Sequence, residues 1–405
     1  MTDETVFLEP IEPPESGRLL RALREETTGG LLLIVVSIAA ILIANSPLKN
    51  AYASFTNFEF GPASLGLHMS LNHWSADFLL AIFFFVVGNE LKHEITLGSL
   101  ANPREALVPI VAAVSGMAAA AGIFLLFNSG SEAASAWAIP ISTDVAFALA
   151  VLALAGKGLP LELRSFLLTV AVVNDLCAIS VIATFYDQGF SKGPFLLSLI
   201  AIGIFALLQY RLVTTAWLGL PLALVSWYWM YQSGIHATVA GVLLGLTMNV
   251  KPKPGQTESP ADRAEHVFRP ISAGICVPVF AFTSIGISVA TGNLGQMLTS
   301  NLAFGICFGL IIGQPLGVTL GAYLATKISK ATLNPSLQWW DVLVVGTLAA
   351  IGFTVALLVS EVSFHESPDN LANAKLAIAV TNFIAILISV IAVRIRNKKY
   401  QASIS

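Results

Sequence analysis

Long apolar stretches recur along almost the whole chain, and they constrain its fold more than any other feature. About 20 apolar residues are needed for a helix to cross roughly 30 Å of hydrocarbon. Because a helix satisfies its backbone hydrogen bonds internally, repeated stretches of this kind predict an all-α polytopic membrane protein. We count twelve stretches, with approximate limits 30–45, 76–91, 105–127, 136–155, 164–186, 194–211, 214–233, 235–249, 271–290, 299–327, 341–361 and 373–393.

Composition excludes several other classes of protein. Of the 405 residues, 56% are hydrophobic and 11% are charged, whereas a soluble domain carries about 25% charged residues. The net charge is −3 and there is no polybasic run, so we expect no nucleic-acid partner. The three cysteines, Cys177, Cys276 and Cys307, lie inside apolar stretches, and we expect no disulfide.

The positions of Lys and Arg predict the orientation, because cytoplasmic loops retain positive charge. With both termini in the cytoplasm, every Lys and Arg except Lys49, Lys192 and Lys375 falls in an inner segment. The first 17 residues are acidic and proline-rich, which predicts disorder. We therefore expect a disordered cytoplasmic tail over 1–28, one transmembrane domain over 29–397 and a short cytoplasmic tail over 398–405.

Two aspartates lie well inside predicted spans, Asp144 in the fourth and Asp175 in the fifth. A carboxylate at the bilayer centre costs at least about 2.5 kcal/mol, so such residues usually mark ion or proton pathways. The alternative is an Asp that stays protonated and joins two helices by a hydrogen bond. A buried carboxylate that either H⁺ or a small hard cation neutralises is the minimal requirement for exchange. Further oxygen ligands would come from Thr143, Ser142 and carbonyls freed at a helix break, which Pro140 favours.

The eleventh stretch carries a comparable interruption, with Gly346-Thr347 followed by Gly352-Phe353-Thr354. Paired discontinuous helices indicate a midplane binding site in transporters built from inverted repeats. Helix packing through small residues is the alternative. Taken together with the interruption at Asp144, the pattern favours a binding site.

Six separated motifs resemble those of the NhaA sodium/proton antiporters and occur in that family's order, from about Thr28 to Arg396. They are residues 87–94 (VGNELKHE), 142–149 (STDVAFAL), 163–167 (LRSFL) followed by the Asp175 segment, 233–241 (SGIHATVAG), 265–270 (EHVFRP) and 352–354 (GFT). The resemblance implies twelve helices, with crossed, discontinuous fourth and eleventh helices and an inward funnel that ends at the fifth helix.

The resemblance also implies a function. The chain would exchange Na⁺ (or Li⁺) for H⁺ by alternating access in the bacterial inner membrane, with no cofactor besides the transported ions. Asp175 would be the ligand for which cation and proton compete, Asp144 and Thr143 would complete the ion site, and Ser142 and Thr354 would support it.

Two positions depart from the family pattern. The family typically has Asp-Asp on the fifth helix, where this chain has Asn174-Asp175, and a Lys before Pro-Leu-Gly on the tenth, where this chain has Gln314. In the family the two positions are thought to pair, and losing both charges avoids a buried charge without a partner. An amide pair between Asn174 and Gln314 would keep a hydrogen bond. Since neither amide titrates, Asp175 alone would alternate between H⁺ and the cation and exchange would be electroneutral, unless Asp144 or Glu361 carries a second proton. A chain that has lost transport is the alternative, and the retained Thr143, Asp144 and Asp175 argue against it.

Several titratable residues are candidates for pH sensing, because the resembling family is thought to sense pH at cytoplasmic helix ends. Histidine titrates near pH 6.5 and so responds in the relevant range. Solvated helix ends are the alternative for each residue taken singly. The candidates are Glu90, His93, Glu94, Glu265, His266 and His236.

The sequence of the first predicted outer loop suggests an interface between two copies of the chain. Residues 57–67 have the pattern of a short hairpin around 61–64. In the family that the motifs resemble, this region serves dimerisation, so a homodimer is expected. A plain capping loop is the alternative.

Two further functional classes compete with antiport. An intramembrane aspartyl protease also needs two membrane aspartates, but the Gly-x-Gly-Asp pattern of that class is absent before Asp175. A metalloprotease lacks its second histidine, since Leu97 follows His93-Glu94 at that spacing. A cation channel is disfavoured because single buried carboxylates would trap the ion.

Overall fold

The computed structural model describes residues 26–186, 189–211, 216–252, 255–286, 295, 299–328 and 331–404. These residues are mostly helical, as the apolar stretches predict. The helices are α1 (Glu26–Ala44), α2 (Lys49–Thr56), α3 (Leu71–Thr96), α4 (Pro103–Asn128), α5 (Val145–Ala155), α6 (Leu161–Phe185), α7 (Lys192–Tyr210), α8 (Ala216–Gln232), α9 (Thr238–Leu246), α10 (Pro260–Ile285), α11 (Asn301–Ile328), α12 (Trp339–Ala349), α13 (Thr354–Ser363) and α14 (Pro368–Ile404), and the strands are β1 (Glu59–Phe60) and β2 (Met69–Ser70).

Seven of the described helices are long and apolar enough to cross a membrane, and up to ten crossings result if each bent pair of helices counts as one. Two of the predicted spans, 214–233 and 235–249, correspond to α8 and α9, which have 17 and 9 residues. α9 falls below the length that a full crossing usually takes, and α8 begins directly after residues 212–215, which lie outside the described residues. The all-α polytopic fold is confirmed, whereas the number twelve stays a prediction.

The chain forms two compact units, each assembled from segments that are far apart in sequence. The hairpin unit takes its described residues from 26–29, 55–98 and 182–283, and it contains the two strands. The break unit takes its described residues from 30–54, 99–181 and 284–405, and it contains both helix interruptions.

The two predicted tails, 1–28 and 398–405, are only partly within the described residues. Most of the predicted tail 1–28 lies outside the described residues. At the other end, α14 continues to Ile404, so the described part of the predicted tail 398–405 is helical. The extension has partners, since Asn397 Oδ1 accepts a hydrogen bond from Gly158 N at 2.8 Å and Tyr400 Oη donates one to Asp341 Oδ2 at 2.7 Å.

Close helix packing in the hairpin unit depends on glycine. A side chain at Gly88, Gly241 or Gly245 would overlap the backbone of the neighbouring helix, so α3 and α9 approach at backbone distance. Such contacts through small residues are characteristic of membrane helix pairs, where no hydrophobic driving force acts between helices.

The predicted hairpin in the first outer loop is present. β1 and β2 pair antiparallel, with Glu59 opposite Ser70 and Phe60 opposite Met69. The connection between the strands is longer than the 61–64 turn that the sequence predicts, and it includes a 3₁₀ turn over Ala63–Leu65. Trp74 Nε1 donates to Phe60 O at 3.1 Å, which anchors the hairpin to α3.

Candidate functional site

The first interruption lies in the fourth predicted span. A run of 3₁₀ turns over Glu132–Ile141 is followed by extended backbone, and α5 begins at Val145 with a bend of 43° between the two pieces. The break leaves the last carbonyls of the first piece and the first N–H groups of α5 without partners in their own helix.

The second interruption lies in the eleventh predicted span. α12 ends at Ala349, α13 begins at Thr354, and the two helices are bent by 48°. The two breaks are in direct contact within the break unit. Asp144 N donates to Ile351 O at 2.6 Å, and Thr143 Oγ donates to Ala349 O at 2.8 Å. A side chain at Gly352 would overlap the carbonyl oxygen of Ser142, so this approach requires glycine.

Asp144 caps both half-helices that begin at the breaks. Its Oδ1 accepts from Phe147 N at 3.4 Å, in the first turn of α5. Its Oδ2 accepts from Thr354 Oγ at 2.8 Å and from Thr354 N at 3.3 Å, at the start of α13. A carboxylate in this position complements the positive ends of two helix dipoles. The structure therefore gives Asp144 and Thr354 a part in joining the breaks, and the role of Asp144 as a cation ligand stays a prediction.

Asp175 lies within α6, and its side chain is 2% exposed. The preceding residue connects α6 to the first break, because Asn174 Nδ2 donates to Thr143 Oγ at 2.8 Å. Ser142 Oγ and Asn174 Oδ1 are buried and have no hydrogen-bond partner among the described residues. Hydroxyl and amide oxygens, like carboxylates, are donor types that hard cations take.

A site for a transition metal has no counterpart in this region. Within the described residues, no three side chains of His, Cys, Asp or Glu come together in a way that would hold a metal ion.

The expected amide pair between Asn174 and Gln314 is not formed. Gln314 Nε2 donates instead to Pro140 O at 3.3 Å and Ile141 O at 3.2 Å, the carbonyls that end the first piece of the broken helix. Its Oε1 has no hydrogen-bond partner among the described residues. The physical reason is that carbonyls at a helix end inside a membrane have no water to bind, so they compete successfully for the amide N–H groups.

The candidate pH-sensing residues lie in the hairpin unit, most of them around the end of α3 and the first turns of α10. Arg269 Nη2 lies 3.5 Å from Glu90 Oε1, and Arg269 Nη1 lies 3.4 Å from Glu265 Oε1. His93 Nε2 is 3.8 Å from Asp262 Oδ1. One guanidinium thus joins carboxylates of two helices.

His236 does not belong to this group. His266 lines an open depression together with Glu265, and Glu94 folds against Gly98, so both lie near the helix ends. His236 Nδ1 instead lies 3.5 Å from Asp77 Oδ1, near the other end of α3. The length of helix between Asp77 and Glu90 is about 20 Å at 1.5 Å per residue.

The sequence analysis missed Asn382, which lies inside the twelfth predicted span and is 4% exposed. Its Nδ2 donates to Gly352 O at 2.7 Å, at the second break, and to Ile378 O at 2.8 Å. The available signal was an amide in the middle of a mostly apolar stretch. Such a residue attracts less notice than a carboxylate because it carries no charge.

Comparison with known proteins identifies the family. The sequence model of the family described as Na⁺/H⁺ antiporter 1 matches residues 20–393. The chain belongs to this family. It is 43% identical over 394 residues to the Na⁺/H⁺ antiporter NhaA 3 of Streptomyces coelicolor. The aligned segment covers 97% of this chain and 83% of that relative. It is 46% identical over 392 residues to the Na⁺/H⁺ antiporter NhaA of Mycolicibacterium smegmatis, and the aligned segment covers 96% of this chain and 90% of that relative.

A solved structure shows the same kind of fold. The sodium proton antiporter MjNhaP1 from Methanocaldococcus jannaschii matches with a TM-score of 0.50 and 17% identity, over 93% of this chain and 95% of that one. The chain is thus an all-α multi-pass membrane transporter of the Na⁺/H⁺ antiporter 1 family. The resemblance to NhaA antiporters that its motifs suggested is confirmed.

Proposed function

We propose that this chain exchanges Na⁺ or Li⁺ for H⁺ by alternating access across the bacterial inner membrane, with both termini in the cytoplasm and no resident cofactor. One observation carries the proposal: the buried carboxylate of Asp175 adjoins Asn174, whose amide reaches the point where two interrupted helices meet. Membership of the Na⁺/H⁺ antiporter 1 family over residues 20–393 supports it.

Asp175 serves in this proposal as the group for which cation and proton compete. A carboxylate buried in a membrane is costly to leave charged and alone, so it is neutralised either by H⁺ or by a bound cation. In both forms the charge of Asp175 is neutralised, so the protein can change its access from one side of the membrane to the other with either ion bound. The form with an empty, ionised carboxylate is disfavoured, which couples the two fluxes.

Uncharged oxygens complete the cation's shell. Thr143 Oγ uses its proton on Ala349 O, and its oxygen faces the Asn174 amide. Ser142 Oγ is buried next to it in sequence. Asp144 contributes its charge from the break, while Thr354 holds that carboxylate in place.

Pairing of two copies through the hairpin belongs to the same proposal. Phe58 and Phe60 are 63% and 40% exposed at its surface, and Leu65 is exposed on the connection. The hairpin backbone is nevertheless fixed, since Gln232 Nε2 donates to Leu65 O at 2.9 Å. An apolar surface held in a fixed position suits contact with a second copy.

Regulation by pH is assigned in this proposal to the ends of α3 and α10. Glu90 and Glu265 share the guanidinium of Arg269, so the contact between α3 and α10 depends on the charges of these three side chains.

Flux through proteoliposomes tests the function. Vesicles with an acidic lumen, and with the membrane potential clamped by K⁺ and valinomycin, receive ²²Na⁺ outside. Exchange predicts accumulation of ²²Na⁺ above its external concentration, together with a rise in luminal pH, and both effects should be absent from the variant Asp175→Asn. A channel would only equilibrate ²²Na⁺, and a protease would move neither ion; either result would contradict the proposal.

A further inference from the structure

Three buried side-chain amides from three different helices converge on the two breaks. Asn174 of α6 donates to Thr143 Oγ, Gln314 of α11 donates to the carbonyls of Pro140 and Ile141, and Asn382 of α14 donates to Gly352 O. All three side chains are less than 5% exposed. We call this set the amide brace.

In each of the three amides, the NH₂ group makes hydrogen bonds within the fold. The carbonyl oxygens of all three, Asn174 Oδ1, Gln314 Oε1 and Asn382 Oδ1, have no hydrogen-bond partner among the described residues. The breaks create a surplus of acceptors, because carbonyls at helix ends lose their own partners and no water replaces them in a bilayer. N–H donors on neighbouring helices satisfy that surplus.

The direction of one hydrogen-bond chain shows what the Asn174 amide contributes in this chain. Thr143 Oγ gives its proton to Ala349 O at 2.8 Å, so its oxygen can only accept from Asn174 Nδ2. An ionised Asp at position 174 has no proton to donate, and the hydroxyl would turn toward it. Ala349 O would then lose its donor.

Asn382 reaches the ion site through a single peptide unit. It donates to the carbonyl of Gly352, the residue that lies against the carbonyl of Ser142. Because interiors are close-packed, a shift of Gly352 is transmitted to Ser142 and to the neighbouring Thr143.

We propose that Asn382 is a positioning residue of the ion site: with Asn174 and Gln314 it holds residues 142–144 against residues 350–353 by donation from groups that carry no charge and do not titrate. The brace therefore keeps its strength while Asp175 alternates between proton and cation. This inference rests on the proposed function, since the site that it positions is the exchange site.

Asn128 offers a matched control. It is 2% exposed, and its Nδ2 also donates to the carbonyl four residues earlier, Phe124 O at 3.0 Å, and to a carbonyl of another helix, Asn301 O at 3.1 Å. It lies at the end of α4, and among the described residues its side-chain hydrogen bonds go to neither break. Asn128→Leu and Asn382→Leu thus delete the same chemistry in two places.

The Na⁺ and Li⁺ dependence of exchange in proteoliposomes tests the proposal, with the thermal stability of each purified variant measured in parallel. Asn382→Leu should raise the apparent KM for Na⁺ about tenfold, as loss of an outer-shell partner of a cation site typically does. It should also change the ratio of the KM values for Na⁺ and Li⁺. Asn128→Leu should lose comparable stability and keep both wild-type values.

Asn382→Gln keeps an N–H donor and should recover part of the Na⁺ affinity even if its stability is lower. An unchanged KM and ion ratio in a folded Asn382→Leu, or equal shifts in Asn128→Leu, would overturn the brace while wild-type exchange leaves the proposed function standing. If Asn382→Leu does not fold, the test uses Asn382→Gln, whose KM for Na⁺ should still be higher than that of Asn128→Leu. Equal KM values and equal ion ratios in these two variants would overturn the proposal. Absence of exchange in the wild-type protein would overturn the proposed function and this inference with it.

Discussion

Asp144 and Asp175 are both buried carboxylates, yet they have different surroundings. Asp144 accepts from donors at the starts of α5 and α13, where the positive ends of helix dipoles favour a fixed negative charge. Taking up a proton there in every cycle would disturb the caps of two helices at once. Asp175 lies in the interior of α6, away from either helix end. At the scale of single residues, this difference favours Asp175 for the proposed role of alternating between H⁺ and Na⁺.

Replacing Asp175 by Asn should abolish exchange without unfolding the protein. The amide has nearly the same shape but can neither release a proton nor neutralise a cation. We expect no detectable ²²Na⁺ accumulation, with a normal elution profile in size-exclusion chromatography. Asp369→Asn, at an exposed position in the first turn of α14, is the control and should transport normally. Near-native exchange by Asp175→Asn would refute the assignment.

Cation affinity should fall on acidification, because protons compete for the same carboxylate. Below the pKa of Asp175 the apparent Na⁺ affinity should drop about tenfold per pH unit, the linkage slope for one shared proton. Isothermal titration calorimetry over a range of pH measures this slope directly. An affinity independent of pH would mean that proton and sodium bind at separate sites.

At the scale of whole elements, the positions of the breaks are readable from the sequence and their partners are not. Pro140 and Gly352 mark interruptions inside apolar stretches, and the helical structure is interrupted near each of them. The predicted partner of Gln314 was wrong because the amide binds carbonyls that lie more than 170 positions away in the sequence. Asn382 was missed for the same reason, since an acceptor at Gly352 exists only once the helix is broken there.

α12 and α14 are joined by a buried ion pair outside the ion site. Arg396 Nε lies 2.7 Å from Asp341 Oδ1, with the two side chains 7% and 0% exposed. The other carboxylate oxygen of Asp341 accepts from Gln338 N and from Tyr400 Oη, each at 2.7 Å. The pair fixes the first turn of α12, the helix that leads into the second break.

Arg396→Met should destabilise the protein by about 3–5 kcal/mol, because it leaves the carboxylate of Asp341 buried without its cation. Adding Asp341→Asn should restore much of that loss, since the double variant contains no uncompensated charge. Unfolding in mixed micelles with increasing denaturant, followed by tryptophan fluorescence, gives the free energies. A double variant less stable than Arg396→Met would contradict this account of the pair.

At the scale of the whole molecule, the predicted functions separate by unit. All residues of the predicted ion site belong to the break unit, whereas all candidate pH-sensing residues and the hairpin belong to the hairpin unit. The sequence order conceals this division, because segments of the two units alternate along the chain. Within the break unit, Asn174 and Gln314 are neutral at the two positions where the resemblance predicts an acid and a base.

Exchange by this chain should therefore be electroneutral, one proton for one cation. The two other carboxylates in a position to carry a second proton are already matched by donors, Asp144 by Thr354 and Glu361 by Lys375 Nζ at 2.9 Å, so a proton there would displace existing contacts. An electroneutral cycle gains nothing from the membrane potential, which is worth about 2.3 kcal/mol per charge per 100 mV. Recordings on solid-supported membranes should show no Na⁺-driven current, and the reversal point of flux should not move with voltage. Restoring both charges, with Asn174→Asp and Gln314→Lys together, should produce a current if the second charge is what the family uses. A robust current from the wild-type chain would refute electroneutral exchange.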